Sequence, residues 1–187
     1  DSNVLASQCV IMDPHELALM AKRGTRVSHQ PISNSHDGCG IAPVPDMLRL
    51  GIPVGLGTDG ENNDLLEVMR TAISIHRAKR INPKALSATE AFYMATENGA
   101  RAIGYTEIGT LDIGKQADYI TVKADTPTPL NDENILDQLV RFRRSSDITS
   151  TTIAGNLVMQ NGEVLTLNEE QAKKDCREIT EEYWRTV

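Results

Sequence analysis

Three polar residues stand where apolar, strand-like runs give out: Gln8 within residues 4–10 (VLASQCV), His29 at the end of 25–29 (TRVSH), and Asp59 after IPVGL. In parallel β/α folds the C-terminal ends of the strands face the loops that converge on a ligand, so chemistry collects there. Asp59 is the most informative of the three. It sits in Gly57-Thr58-Asp59-Gly60, and such small neighbours let an ion or a substrate approach the backbone closely. A carboxylate in that position can coordinate a divalent ion or take a proton from a bound water. The alternative is an aspartate that caps the next helix or closes a turn. His29 poses the same choice, between an imidazole that meets a ligand and a buried histidine satisfied by its neighbours.

Other chemistry finds less support. The remaining histidines, His15, His36 and His76, form no HxH, HxxxH or HExxH pair. No GxSxG elbow, GxGxxG turn or GxxxxGK[ST] loop occurs, which leaves serine-hydrolase, dinucleotide and P-loop readings without a motif. Cys9, Cys39 and Cys176 are odd in number, widely spaced and without a CxxC pair. That pattern argues against a disulfide framework or a cysteine zinc site and for a reducing, cytoplasmic setting.

The elements that position these residues alternate. After the first strand, residues 13–24 read as a helix with Asp13 as N-cap, Pro14 at its first position, Glu16 completing a capping box and Gly24 as stop. A second strand follows at 25–29. Residues 30–40 (QPISNSHDGCG) are rich in turn formers and read as irregular. A short helix at 45–50 leads to a third strand at 52–58. Residues 64–80 carry Leu65, Met69, Ala72, Ile73 and His76 at helical spacing. A further helix spans 87–98, with a Ser87/Glu90 capping box and Gly99 as stop. Strands alternating with helices predict parallel β/α units. Beyond residue 107 the character changes to short strands with hairpin signals at Gly155-Asn156 and Asn161-Gly162, then a charged helix capped by Asn168. The expected organisation is therefore 1–107 as β/α and 108–187 as a small β module with C-terminal helices.

Composition sets the outer limits. The 187 residues carry 26 acidic and 19 basic side chains, a formal charge of −7, with 40% hydrophobic and 24% charged residues. No basic stripe of the kind nucleic-acid binders carry is visible, and the basic cluster of Arg141, Arg143 and Arg144 reads as a solvated helix end. No apolar run reaches the roughly 18 residues a membrane span needs. Nucleic acid and membrane are accordingly not expected as partners.

Taken in order, the segments carry a resemblance. VSHQPISN followed by GIAPVPDMLRLGIPVGLGTDGENND resembles the late-barrel region of the amidohydrolase superfamily, in particular the chlorohydrolases and aminohydrolases of triazines, guanine, cytosine and adenosine-type thioethers. ALSATEAFYMATENGARAIG and IGTLDIGKQADYITV resemble the same family's post-barrel helices and its return strand. The resemblance runs over nearly the whole chain. It implies an α/β fold comprising part of a (β/α)8 barrel, its last three strands and their helices. Part of a small composite β-sandwich and a terminal helix would follow.

In that family one or two divalent metals, zinc or iron, are held by an HxH pair on the first strand, histidines on the fifth and sixth, and an aspartate on the eighth. The resemblance implies that Asp59 is that aspartate, a metal ligand that also handles the proton of the attacking water. It implies that Gln8, in Ser7-Gln8-Cys9-Val10, stands in the sixth-strand motif where a histidine is usual. A carboxamide cannot titrate there. His29, with Asn34, matches a strand near the substrate, Gln30 replacing the usual Asn, and Asn62 and Asn63 match the loop beside the metal aspartate. The catalytic candidates are thus Asp59, His29 and Gln8, and the substrate-binding ones His29, Asn34, Asn62 and Asn63.

A complete barrel takes roughly 250 residues; this sequence supplies three of its strands, without the HxH pair or the fifth-strand ligands. The expectation is the C-terminal portion of a hydrolase acting on C–N or C–Cl bonds of a small nitrogen heterocycle, inactive alone and forming a homo-oligomer. The competing expectation is a non-catalytic, barrel-derived assembly or binding domain.

Overall fold

A computed structural model describes residues 1–60 and 63–186. The chain divides into two compact units, one formed by residues 1–115 and 124–145, the other by 116–123 and 146–187. The boundary expected after residue 107 therefore falls inside the first unit, and residues 124–145 return to it.

The first unit is built on three parallel strands, β1 (Leu5–Ser7), β2 (Arg26–His29) and β3 (Val54–Leu56), in that spatial order. The register aligns Ala6 with Val27 and Val27 with Val54. Between β1 and β2 runs α1 (Pro14–Arg23), set by the predicted capping box. Asp13 Oδ1 accepts from the Glu16 amide at 2.8 Å and Glu16 Oε2 from the Asp13 amide at 2.7 Å, and Gly24 closes the helix in the left-handed region. Between β2 and β3 lie α2 (Pro31–His36) and α3 (Val44–Arg49).

The turn-rich stretch read as irregular thus contains a helix. Pro31 starts it, and tertiary burial of Ile32, Ser33 and Asn34 outweighs the loop preference of their types. After β3 come α4 (Leu65–Arg80), α5 (Ala88–Ala95), α6 (Glu97–Ile103) and α7 (Ile135–Phe142). The single helix expected at 87–98 is two, broken at Thr96, whose hydroxyl donates to the Phe92 carbonyl at 2.8 Å.

Strand alternation separates two faces. Val27 and His29 are fully buried, with Val54 aligned to Val27 and also fully buried. On the other face, aligned with Ser28, is Gly55, where α6 comes so close that a Cβ on Gly55 would lie 3.1 Å from Gly99 Cα and 3.3 Å from Ala102 Cβ. The core is completed by Val44, Met47, Val68, Ala72, Leu86, Ala91 and Met94. Burying the valine, leucine and methionine side chains among these contributes roughly 1.5–3 kcal/mol each, largely against chain entropy.

The second unit is an antiparallel sheet of β4 (Tyr119–Val122), β5 (Ile148–Ile153), β6 (Asn156–Gln160) and β7 (Glu163–Val164), in sequence order, with a terminal helix α8 (Glu169–Thr186). Asn161-Gly162 makes the second hairpin as expected. The first turns one residue earlier than its signal: Ala154 and Gly155 are the left-handed pair, and Asn156 already belongs to β6.

Candidate active site

The ends of β1 and β3 leave the sheet through unusual backbone. Gln8, Cys9 and Asp59 all have positive φ (66°, 47° and 56°), three of the six non-glycine residues among those described that do so. Each such residue costs on the order of 1 kcal/mol and persists where its surroundings hold it. Here the holding groups are clear. The Gln8 amide continues the ladder by donating to the Ser28 carbonyl at 2.8 Å, and the Gly57 amide does the same to His29 at 2.8 Å. The left-handed turns then aim Gln8 and Asp59 at one another.

Gln8 Nε2 donates to Asp59 Oδ2 at 3.1 Å, and Asn34 Nδ2 donates to Gln8 Oε1 at 3.1 Å. Ser33 Oγ donates to the same Asp59 oxygen at 3.0 Å, and the Gly60 amide to Oδ1 at 2.8 Å. Every bond runs toward the carboxylate. The chain Asn34 to Gln8 to Asp59 therefore fixes the orientation of both amides and collects donors on an anion, the stronger kind of hydrogen bond. Behind it, Gln30 Nε2 donates to Ser28 Oγ at 2.8 Å, over Gly57, where a Cβ would come within 2.9 Å of that hydroxyl. Asn34 Oδ1 and Gln30 Oε1 are buried acceptors without a partner in this arrangement.

The strand-end candidates thus separate. Gln8, Asn34 and Asp59 meet, with Ser33 joining them. His29 turns to the opposite side: its Nε2 lies 3.2 Å from Nε2 of His76 on α4, and the two rings are 0% and 1% exposed. Burial lowers the His29 pKa to about 3, helped by the neighbouring His76, and lowers that of His76 to about 4, helped by Lys79. A ring so placed is neutral at physiological pH and has one nitrogen, Nδ1, without a partner. Asn63 is exposed just before Asp64, the N-cap of α4. Asn62 lies outside the described residues.

The sequence reading did not single out Ser33 as a site residue, and it placed His76 only as one position in a buried stripe. A histidine among Leu65, Met69, Ala72 and Ile73 was the available signal, since a buried imidazole needs a polar partner.

As a metal centre the arrangement is incomplete. Among the described residues no group of three or more His, Cys, Asp or Glu side chains is placed to hold an ion. Asp59 offers one carboxylate whose Oδ2 already accepts two hydrogen bonds. Tight divalent sites draw three or four protein ligands, so these residues alone do not fit one.

The family model described as "Amidohydrolase family" matches residues 1–158. The chain belongs to the amidohydrolase family. It is 40% identical over 186 residues to the 5'-deoxyadenosine deaminase of Methanosarcina acetivorans, covering 96% of this chain and 42% of that protein. Among solved structures, an adenosine deaminase from Xanthomonas campestris with bound zinc superposes with a TM-score of 0.92 at 29% identity, over 100% of this chain and 44% of that one. Atrazine chlorohydrolase from Arthrobacter aurescens, complexed with zinc, gives 0.83 at 26%, over 94% and 40%. The chain spans less than half the length of these relatives. Its fold is the expected one: mixed α/β, with the last three strands of a (β/α)8 barrel and their helices, part of the β module and a terminal helix. No helix among the described residues is long and apolar enough to cross a membrane.

Proposed function

We propose that this chain is the C-terminal portion of a hydrolase that deaminates an adenosine-type nucleoside. The observation that carries the reading is the convergence of Asn34, Gln8 and Ser33 on the Asp59 carboxylate at the strand ends, in a chain 40% identical to a 5'-deoxyadenosine deaminase. Release of ammonia from an aminopurine requires water to add to an electron-poor ring carbon while a base takes its proton. Asp59 is the proposed base. Gln8 and Ser33 orient it, and Asn34, Asn62 and Asn63 are the proposed substrate contacts. Buried acceptors such as Asn34 Oδ1 and Gln30 Oε1 suit a ligand rich in N–H and O–H donors, as a nucleoside is. His29 serves the site through the scaffold, by fixing β2 against α4.

Asp59 is also the one proposed ligand for the divalent ion of the complete enzyme; zinc accompanies the two relatives' structures above. The remaining ligands would come from barrel segments beyond this sequence. Deamination is preferred over dechlorination because the 40% relative is named a deaminase, whereas the chlorohydrolase likeness is 26%.

A second reading, a non-catalytic binding domain, draws on Gln8, which supplies hydrogen bonds and no titratable group. Purified protein assayed for ammonia release from 5'-deoxyadenosine, with metal content measured in parallel, distinguishes the two. The proposal expects turnover only when the missing barrel segments are supplied, and its loss in Asp59→Asn. Turnover that survives Asp59→Asn overturns it.

A further inference from the structure

Away from the strand ends, α4 and α7 enclose a cleft of about 200 Å³ lined by Arg70, Ile73, Ser74, Arg77 and Arg141. Arg70, Ile73, Ser74 and Arg77 follow one another at helical spacing along a single face of α4. We propose that this cleft binds a small oxyanion of the phosphate type.

Three guanidinium groups line one small concavity, and among the described residues no carboxylate lines it with them. The chain as a whole carries −7, so the concentration of positive charge runs against the overall balance. Two of the three are held in place by backbone. Arg70 Nη1 donates to the carbonyls of Val140 and Arg143 at the end of α7, and Arg77 Nε donates to the Leu86 carbonyl at 3.0 Å.

These bonds restrain both side chains in advance and leave Nε and Nη2 of Arg70, and both Nη groups of Arg77, for a further acceptor. Planar forks held in this way suit the paired oxygens of a phosphate. Arg141 is looser: its ion pair with Asp137 is 3.6 Å long and half exposed, a contact that water screens. Ser74 adds a hydroxyl and Ile73 an apolar wall. Like charges gathered in this way repel one another, and an oxyanion between them removes that repulsion.

The test is thermal unfolding of the whole chain in sodium phosphate against sodium chloride at matched ionic strength. Phosphate is expected to raise the midpoint by about 2–4 °C at a concentration several times its dissociation constant. Arg141→Gln, at an exposed position, is expected to weaken the apparent affinity about tenfold. Arg77→Lys keeps the charge and loses the fork, so an intermediate weakening is expected. Phosphorus NMR provides a second reading, with the inorganic phosphate line broadened by the unaltered protein and sharp again with Arg141→Gln.

Adenosine 5'-monophosphate identifies the source. Tighter binding than inorganic phosphate assigns the cleft to a nucleotide phosphate, and equal or weaker binding assigns it to free phosphate; both support an oxyanion site. A midpoint shift no larger than that of chloride, or unchanged phosphate affinity in both variants, overturns the proposal.

Discussion

The imidazoles of His29 and His76 face each other Nε2 to Nε2 across 3.2 Å, with ring centroids 5.2 Å apart and planes tilted by 42°. One ring donates and the other accepts, and burial, which lowers both pKa values, keeps both rings neutral at neutral pH. The unfolded chain protonates both below about pH 6.5, whereas in the folded chain His76 resists to about 4 and His29 to about 3. Between those limits the unfolded state binds more protons, and stability falls as pH falls. Urea unfolding at intervals from pH 7 to 4.5 is expected to show a loss approaching about 1.4 kcal/mol per pH unit for each histidine, beyond the carboxylate contribution. The doubly substituted His29→Leu, His76→Leu chain serves as the reference, and an equal slope in that chain would falsify the neutral-pair account.

Breaking the pair on one side is expected to cost more than removing it. His76→Leu leaves His29 buried with both ring nitrogens unpaired, a loss of about 1–3 kcal/mol. The added His29→Leu substitution is expected to recover part of that. A double-mutant cycle by chemical denaturation measures the coupling, and additive single losses would show that the rings do not interact.

Gly55 and Gly60 offer a contrast in packing. A methyl group on Gly55 would press on Gly99 Cα at 3.1 Å, backbone that cannot give way easily, while one on Gly60 meets nothing within 4 Å. Gly55→Ala is expected to destabilise by about 1–3 kcal/mol. Gly60→Ala is expected to be within about 0.5 kcal/mol of neutral. Thermal or urea midpoints for the two variants check the approach of α6 to β3 directly.

Gln8→Leu removes a donor from Asp59 and strands the Asn34 Nδ2 that now finds Gln8 Oε1. The expected cost is about 1–2 kcal/mol. Amide exchange should rise at position 8, Cys9 and Gly60, whose placement depends on this network. A change confined to global stability, with exchange at the strand ends unaltered, would show that the amide chain does not organise them.

The signals that were legible in the sequence are local. Asp13 with Glu16 and Ser87 with Glu90 announce helix starts because both halves of each capping box lie three residues apart. Gln8 and Asp59 could be placed at strand ends for a similar reason, since the apolar run before each is contiguous. What escaped depends on distant partners. Ser33 meets Asp59 across 26 residues and His76 meets His29 across 47, separations that no spacing rule connects. Helix α7 escaped likewise: Asn134 gives it no side-chain cap, and its anchors are the fully buried Val140 and the Arg70 side chain on its terminal carbonyls. The break at Thr96 was hidden because Ala95 and Glu97 on either side of it favour helix, and Gly99, read as the stop, lies inside α6.

The edges of the parallel sheet lead to an expectation about mass. Among the described residues β1 and β3 are each paired on one side only, and Val4 and Leu5 remain 46% and 43% exposed. Bare strand edges and apolar surface favour association. Light scattering at micromolar concentration is expected to give about twice the 20.5 kDa of one chain. A concentration-independent monomer mass would show that the edges do not drive self-association.

The division of the chain has a consequence for the order of synthesis. Strands β4 and β5 are neighbours in one sheet, yet residues 124–145, which build into the other unit, are translated between them. Among the described residues, the strand that β4 pairs with, β5, is made after it. Helix α7 is complete before β5 exists, and α4 and α5, against which it packs, precede it. Vectorial folding can therefore dock α7 on α4 and α5 before β5 is made. Thr121 near the end of β4 is thus made before Ser150, the residue of β5 with which it pairs.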